Sequence, residues 1–355
     1  MARSGRMGPA PSMNRIGRSY RIARPPPHLS RRAFLISGSA AALLCGIGFQ
    51  AYAQAQPLVA ILIRGTRKDY GFLIDGFLQG LREQGFDPAR NVRVVEYAAD
   101  GDVRREHRMA GDVVRANPAA VYAPGPWDVH ALRAAGAKMP IVHSVVNDPV
   151  ILKFAQSLNR PGGNITGVSA SSTELIGKRL ELLKELFPRA KRLAVIFEQE
   201  EARGCNVELI EFERLGKQVG LEVLQFGFEE RRDLPGLFER IARAKVDAAI
   251  IPTVMPSYGF GSDIIELARR ERIPVVYESG TLAQAGGVLS YGPDWVWAAR
   301  RAAYFVARIL KGASPADLPI ERPTTYQLVV NAKALRELGV TPPASVLLRA
   351  DQVIE

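Results

Sequence analysis

The residues able to do chemistry in this chain sit in loops that follow short apolar runs. Arg64-Gly65-Thr66-Arg67-Lys68-Asp69-Tyr70 follows the first such run, and Ala123-Pro124-Gly125-Pro126-Trp127 follows a later one. Ser144 to Pro149 carries Asn147-Asp148, and Ser169-Ala170-Ser171-Ser172 comes next. Further along stand Glu198 to Arg203, Thr253 to Tyr258, Glu278-Ser279-Gly280 and Tyr291-Gly292-Pro293-Asp294. Hydroxyls, glycine backbone, aromatics and isolated carboxylates in one set suit capture of a small polar or zwitterionic molecule. N–H and O–H donors hold a carboxylate, an acid holds an ammonium and aromatic rings cover the apolar part. The candidate ligand contacts are Thr66, Tyr70, Gly125, Trp127, Asp148, Ser171, Glu198, Thr253, Glu278 and Tyr291. Each also has a structural reading: Gly and Pro make turns, Asp128 and Ser172 precede helical patterns as caps, and the aromatics fit a core.

Bond-making constellations are missing from the pattern. The chain has no G-x-S-x-G elbow, no H-E-x-x-H pair and no Walker phosphate loop, so the expectation is a binding protein without a cofactor, not an enzyme. His107, His130 and His143 are scattered without ligand spacing, and Cys205 is the one cysteine after residue 53, which argues against metal and disulfide sites.

The elements that must position these loops alternate in kind. Expected strands are Leu58–Ile63, Val92–Tyr97, Ala119–Ala123 and Pro140–Val145, separated by helices over Tyr70–Gln84, Val103–Asn117 and Asp128–Gly136. The pattern restarts with strands at Ile165–Ser169, Arg192–Phe197, Leu221–Phe226, Ala248–Pro252, Pro274–Tyr277 and Gly287–Tyr291. Helices over Leu175–Phe187, Asn206–Val219, Leu234–Ala244 and Ile264–Arg272 separate these, and a long helix spans Trp295–Lys311. A strand at Gln327–Val330 and a short helix to Leu338 follow a proline-rich stretch. Short strands alternating with longer amphipathic runs are the mark of βαβ units and parallel sheets. The fold class expected is α/β, with two doubly wound parallel-sheet lobes joined by a hinge. The first lobe takes residues 57–164 and roughly 293–320, and the second takes 165–292 and roughly 321–355. Ligands of such sheets lie beyond the strands' carboxyl ends.

Ahead of these blocks stands an export pattern. Ser30-Arg31-Arg32-Ala33-Phe34-Leu35 is a twin-arginine motif, an uncharged Ala/Leu/Gly run follows, and Ala51-Tyr52-Ala53 is a small-x-small cleavage triplet. Residues 1–53 read as a signal peptide, so the mature chain begins near Gln54 and works in the periplasm. Seven small residues make the run too weakly apolar for an uncleaved anchor, which wants about 20 strongly apolar residues. Met13 is a second candidate start. The formal charge of +11 belongs mostly to this segment, which holds eight arginines and no Asp, Glu or Lys. Without them 39 of the 47 basic residues face 36 acids, a net of +3. Nucleic acid is therefore not an expected partner. A periplasmic address also disfavours enzymes that need ATP or reduced nicotinamides.

Longer motifs carry a family resemblance. Asn147-Asp148-Pro149-Val150, then Ser157-Leu158-Asn159-Arg160-Pro161-Gly162-Gly163-Asn164-Ile165-Thr166-Gly167-Val168-Ser169, resembles the central signature of the TrpX-like substrate-binding proteins of ABC transporters. Gly177-Lys178-Arg179-Leu180-Glu181-Leu182-Leu183-Lys184-Glu185-Leu186, Gly286 to Gly292, Arg300 to Ala303 and Ile309 to Ala313 are similar as well. So is the tail, in Asn331-Ala332-Lys333, Leu338-Gly339-Val340, Pro342-Pro343 and Arg349 to Glu355. The resemblance implies a type I periplasmic binding fold with three crossing strands. It implies capture of a small solute, such as an amino acid or an aromatic or carboxylate compound, and delivery to an inner-membrane ABC permease. Where relatives carry a Pro-Thr-Asp-Asn-like loop, this chain has Pro252-Thr253-Val254-Met255-Pro256, a loss that weakens the case for an amino-acid ammonium partner and leaves Glu278 or Asp148 as substitutes. A ligand sensor feeding a membrane receptor is the alternative role.

Overall fold

The computed structural model describes residues 56–170, 172–252 and 257–355. The segment read as an export signal lies outside them, as do Ser171 and Thr253. The chain begins β1 (Leu58–Ile63), α1 (Arg67–Glu83), β2 (Arg93–Ala98), α2 (Val103–Ala116), β3 (Ala120–Tyr122), α3 (Pro126–Ala134), β4 (Ile141–Val146) and β5 (Ile165–Ser169). There follow α4 (Ile176–Leu186), β6 (Arg192–Glu198), α5 (Gln199–Gln218), β7 (Glu222–Phe228), α6 (Leu234–Arg243), β8 (Ala248–Ile250), α7 (Ser257–Arg270), β9 (Val275–Tyr277), α8 (Gly280–Gln284) and β10 (Leu289–Pro293). The chain closes with α9 (Trp295–Leu310), β11 (Tyr326–Asn331), α10 (Ala332–Glu337), α11 (Ala344–Leu347) and β12 (Gln352–Ile354).

Two sheets result. The first runs β2-β1-β3-β4-β5 and is parallel throughout. The second runs β12-β11-β10-β9-β8-β6-β7, and its one antiparallel pair is β10 with β11. The first five strands of each block take the same spatial order, so β6 occupies in the second sheet the place of β1 in the first. β1 shows why such strands read as unbroken apolar runs. Val59, Ile61 and Ile63 face the α1–α9 layer, and Ala60 and Leu62 face the α2–α3 layer, all at most 1% exposed. A strand covered on both faces has no polar side to alternate with.

Helix α9 comes late in the chain yet packs along α1 and against β3, β4 and β5. The approach is close: a Cβ at Gly80 of α1 would stand 2.7 Å from the Arg300 carbonyl oxygen. Helix α1 also meets α7, so one apolar cluster runs from the α1–α9 face of the first sheet to the α6–α7 face of the second.

Several sequence expectations need correction. β5 pairs with β4, so the first sheet includes Ile165–Ser169; a second block starting at Ile165 opens one strand too early. Helix α5 begins at Gln199, with a polar first turn, rather than at Asn206. Helix α7 begins at Ser257, where Gly259 and Gly261 are poor helix formers, rather than at Ile264, so neither start shows the pattern that marks a helix. β10 reaches Gly292 and Pro293, which pair with Gln327 and Tyr326 of β11. A distant partner extends that strand through residues of poor strand propensity. The structure adds the short elements α8, α11 and β12.

His143 on β4 is fully buried. Its Nδ1–H donates to the Val168 carbonyl at 3.1 Å, and its Nε2 has no partner among the described residues. Burial pushes its pKa down to about 4, so the folded chain keeps the ring neutral. The unfolded chain gains a proton as pH falls below about 6.5 and the folded chain does not, so stability drops from there toward pH 4. Between pH 8 and pH 5 this group alone should remove about 2 kcal/mol. Urea denaturation of wild type and His143→Gln at both pH values tests this. Wild type should lose about 2 kcal/mol more than the variant, and parallel losses would contradict a buried neutral ring.

Candidate functional site

The loop after β1 is built on short-range hydrogen bonds. Thr66 caps α1: its Oγ1 accepts the Asp69 backbone N–H at 3.1 Å and donates to Asp69 Oδ2 at 2.7 Å. Gly65 lies beneath the ring of buried Tyr70, where a Cβ would come within 2.4 Å of the ring edge. Arg64, 6% exposed, is gripped from two directions. Its backbone N–H donates to Asp128 Oδ1 at 2.8 Å, and its Nε donates to Glu106 Oε2 at 2.8 Å. Its guanidinium lies 4.6 Å from the centroid of the Trp127 ring, a cation–π contact.

Asp128 ties two loops together. Its other oxygen accepts the Gly125 backbone N–H at 2.8 Å at the start of α3, so the loops after β1 and β3 share one carboxylate. Burial, and then the neighbouring Glu106 carboxylate, raise its pKa well above the ordinary value. Two buried carboxyls thus flank one buried arginine, Glu106 at its guanidinium and Asp128 at its backbone N–H. Glu106 Oε1 and the Trp127 indole Nε1 are buried without a partner among the described residues.

Above this cluster opens a cleft of about 770 Å³. The first sheet contributes Arg64, Gly65, Thr66 and Asp69 after β1, and Asp100 to Arg104 after β2. The second contributes Glu198 at the end of β6 with Gln199, Glu229 to Arg231 after β7, and Phe260 of α7. Most of these charges are committed locally. Asp100 pairs with Arg105, Asp102 caps α2, Glu230 pairs with Arg232, and Arg231 pairs with Asp263 beside the Phe260 ring. Glu198 is only 5% exposed.

Among the residues expected to touch a ligand, Thr66 and Glu198 line this cleft. Tyr70, Gly125 and Trp127 form the layer behind it, covering Gly65, starting α3 and stacking on Arg64. Asp148, Glu278 and Tyr291 do not line it. Asp148 closes a turn by accepting the Val150 and Ile151 N–H groups, both at 2.9 Å. Glu278 is 2% exposed at the end of β9, and half-buried Tyr291 lies against Tyr326 while its carbonyl accepts Arg179 Nε at 2.7 Å. Ser171 and Thr253 fall outside the described residues. Sequence reasoning missed Arg64, Glu106 and Phe260 and took Asp128 for a helix cap only. Position at the end of the first strand marked Arg64, whereas no local pattern marked Glu106, which reaches it from α2. Among the described residues no cluster of His, Cys, Asp and Glu could hold a metal ion, and no helix is long and apolar enough to cross a membrane.

Comparison with known proteins gives a consistent result. The family model described as "ABC transporter substrate binding protein" matches residues 67–354. A tyrosine-binding protein of Clostridioides difficile is 24% identical over 265 residues, covering 75% of this chain and 76% of the relative. A conserved domain protein from Vibrio cholerae has a crystal structure of TM-score 0.77 and 26% identity, spanning 84% of this chain and 99% of that one. A Streptococcus pneumonia protein solved with L-Trp gives a TM-score of 0.78 at 24% identity, spanning 84% of this chain and all of that one.

The Gly65–Tyr70 contact makes a stability prediction. Gly65→Ala forces its methyl into the Tyr70 ring and should cost about 1–3 kcal/mol by chemical denaturation. Adding Tyr70→Leu should cost less in the Gly65→Ala background than in wild type. Strict additivity of the two changes would show that the ring does not lie over Gly65.

Proposed function

This chain belongs to the ABC transporter substrate-binding protein family, and from that premise we propose that it captures a small amino acid, aromatic by preference, in the periplasm and hands it to an inner-membrane permease. The observation that carries this reading is the cleft itself. It opens at the carboxyl ends of two sheets with the same strand order, and each sheet supplies a buried charge to its wall, Arg64 from one and Glu198 from the other. The names of two similar proteins, one tyrosine-binding and one solved with L-Trp, support the aromatic amino-acid class.

In this reading the first lobe comprises residues 56–169 and 295–321, and the second comprises 172–293 and 322–355. The three crossings between them act as a hinge, and ligand contacts to both walls shift the population toward the closed form. The crossing near residue 321 supports this division. The Glu321 N–H donates to the Gly167 carbonyl at 3.0 Å, and its carbonyl accepts the Ser169 N–H at 2.8 Å. Its carboxylate takes Arg301 of α9 through two bonds of 2.7 Å, which fastens the strand to the first lobe. The next residue, Arg322, pairs with Glu174 ahead of α4 at 2.9 Å, so the hold changes lobe within one peptide.

Two measurements test the proposal. Thermal unfolding of ligand-stripped mature protein with L-tyrosine, L-tryptophan or L-phenylalanine at 100 times Kd should gain about 2.7 kcal/mol, a rise of several degrees in Tm. No rise with any of the three at millimolar concentration would remove the cargo class. For export, the periplasmic protein should begin at Gln54 by mass spectrometry, and Arg31→Lys with Arg32→Lys should leave the precursor in the cytoplasm. Normal processing of the double variant would exclude the twin-arginine route.

A further inference from the structure

We propose that Phe260 selects the side chain of the cargo: its ring is the platform on which an aromatic amino acid packs, and Val103 on the opposite wall covers the ligand ring from the other side. This rests on the amino-acid reading above and assigns its aromatic preference to two residues of this chain.

The cleft offers few places to an apolar group. Among the described residues that line it, charged side chains and glycines predominate, and Phe260 and Val103 are the two whose side chains are wholly apolar. One comes from each wall: Val103 opens α2 after β2 of the first sheet, and Phe260 lies near the start of α7 in the second block. A ligand ring set against the charged residues would strip their water without return, whereas against these two it buries apolar surface on both partners. The other rings close by are committed elsewhere. Tyr70 is 7% exposed and lies over Gly65, and Trp127 stacks on Arg64, so neither lines the cleft. Phe260 is the one ring among the described residues that does.

The Phe260 ring is set before a ligand arrives. Phe228, buried at the end of β7, meets it edge to face, with centroids 5.6 Å apart and planes at 89°. The Arg231 guanidinium lies 5.5 Å from its centroid and pairs at 3.1 Å with Asp263, three residues further along the same helix. A half-buried ring fixed by a core aromatic and a tethered cation loses little freedom when a ligand packs on it, and such preorganisation favours binding. Val103 is β-branched and helical, so its side chain is stiff as well. The two residues differ in what they recognise. Two aromatic rings gain from their quadrupoles beyond the area they bury, whereas an aliphatic side chain on the same platform gains from area alone. Phe260 therefore distinguishes a ring from an aliphatic side chain of similar size, and Val103 adds contact without choosing between them. Apolar contacts supplied by separate walls also favour the closed arrangement, which alone brings both onto one ligand.

The test is titration calorimetry on the mature chain, stripped of ligand, with L-leucine and with L-phenylalanine, L-tyrosine and L-tryptophan. Wild type should bind the best of the three aromatic amino acids about 10-fold tighter than L-leucine. Phe260→Leu and Phe260→Met keep an apolar side chain and remove the ring, and each should bring that ratio to within about 3-fold of unity. Phe260→Tyr, which restores a ring, should keep it. Val103→Ala should weaken the aromatic ligand and L-leucine alike, by about 3-fold, and leave the ratio unchanged. If wild type prefers the aromatic ligand and the ringless variants keep the full preference, Phe260 is not the platform and the cargo class stands. Equal binding of L-leucine and the aromatic ligands by wild type would overturn selection by a ring while leaving an amino-acid cargo in place. Failure of wild type to bind any of the four overturns the platform together with the amino-acid reading beneath it.

Discussion

Parallel strands deliver all their carboxyl ends to one edge of a sheet, and the placement of every cleft residue follows from that constraint. Each crossover helix returns the chain to the far edge, so each loop after a strand opens on the same side. Thr66 lies far along the chain from Gly125 and Trp127, yet they gather because β1 and β3 are neighbours in the first sheet. Glu198 and Glu229 to Arg231 gather in the second sheet for the same reason. Repetition of one strand order in both sheets makes the two walls counterparts.

Charge burial then sets the character of those walls. Arg64 can leave water only because Glu106, a helical residue with no exposure, meets it at 2.8 Å. A second buried carboxyl beside this pair is tolerable because the Asp128 oxygens accept backbone N–H groups, at Arg64 and Gly125. The arrangement makes the loop after β1 and the start of α3 a single hydrogen-bonded unit. Removing one member leaves a buried charge without compensation, so these residues carry fold stability and site geometry together.

The hydrogen-bonded units change partner at one crossing. The strand segment at Glu321 is hydrogen-bonded to Gly167 and Ser169 and clamped by Arg301, while Arg322 turns to Glu174. In the hinge-closure reading proposed above, a crossing whose adjacent residues answer to different partners concentrates rotation in few bonds.

Local pattern sufficed for much of this. β1 spans Leu58–Ile63, the bounds its sequence predicts, because a strand buried on both faces is an unbroken apolar run and needs no partner to be recognised. Thr66 and Glu198 were legible as cleft residues because position after a strand implies position at the edge of the sheet. The sheet to which β5 belongs was not legible, since pairing with β4 is a choice among neighbours that its own five residues do not encode. Arg64 with Glu106 and Trp127 was hidden for the same reason. The three lie on different elements, and a buried ion pair has no signature along the chain. The amino-acid sequence thus determined the two α/β blocks, the loops that could bind and the family. Tertiary structure alone decided which of those loops share a wall and which charges are buried there, because hydrophobic periodicity is a local property, whereas sheet order and desolvation depend on what arrives from elsewhere in the chain.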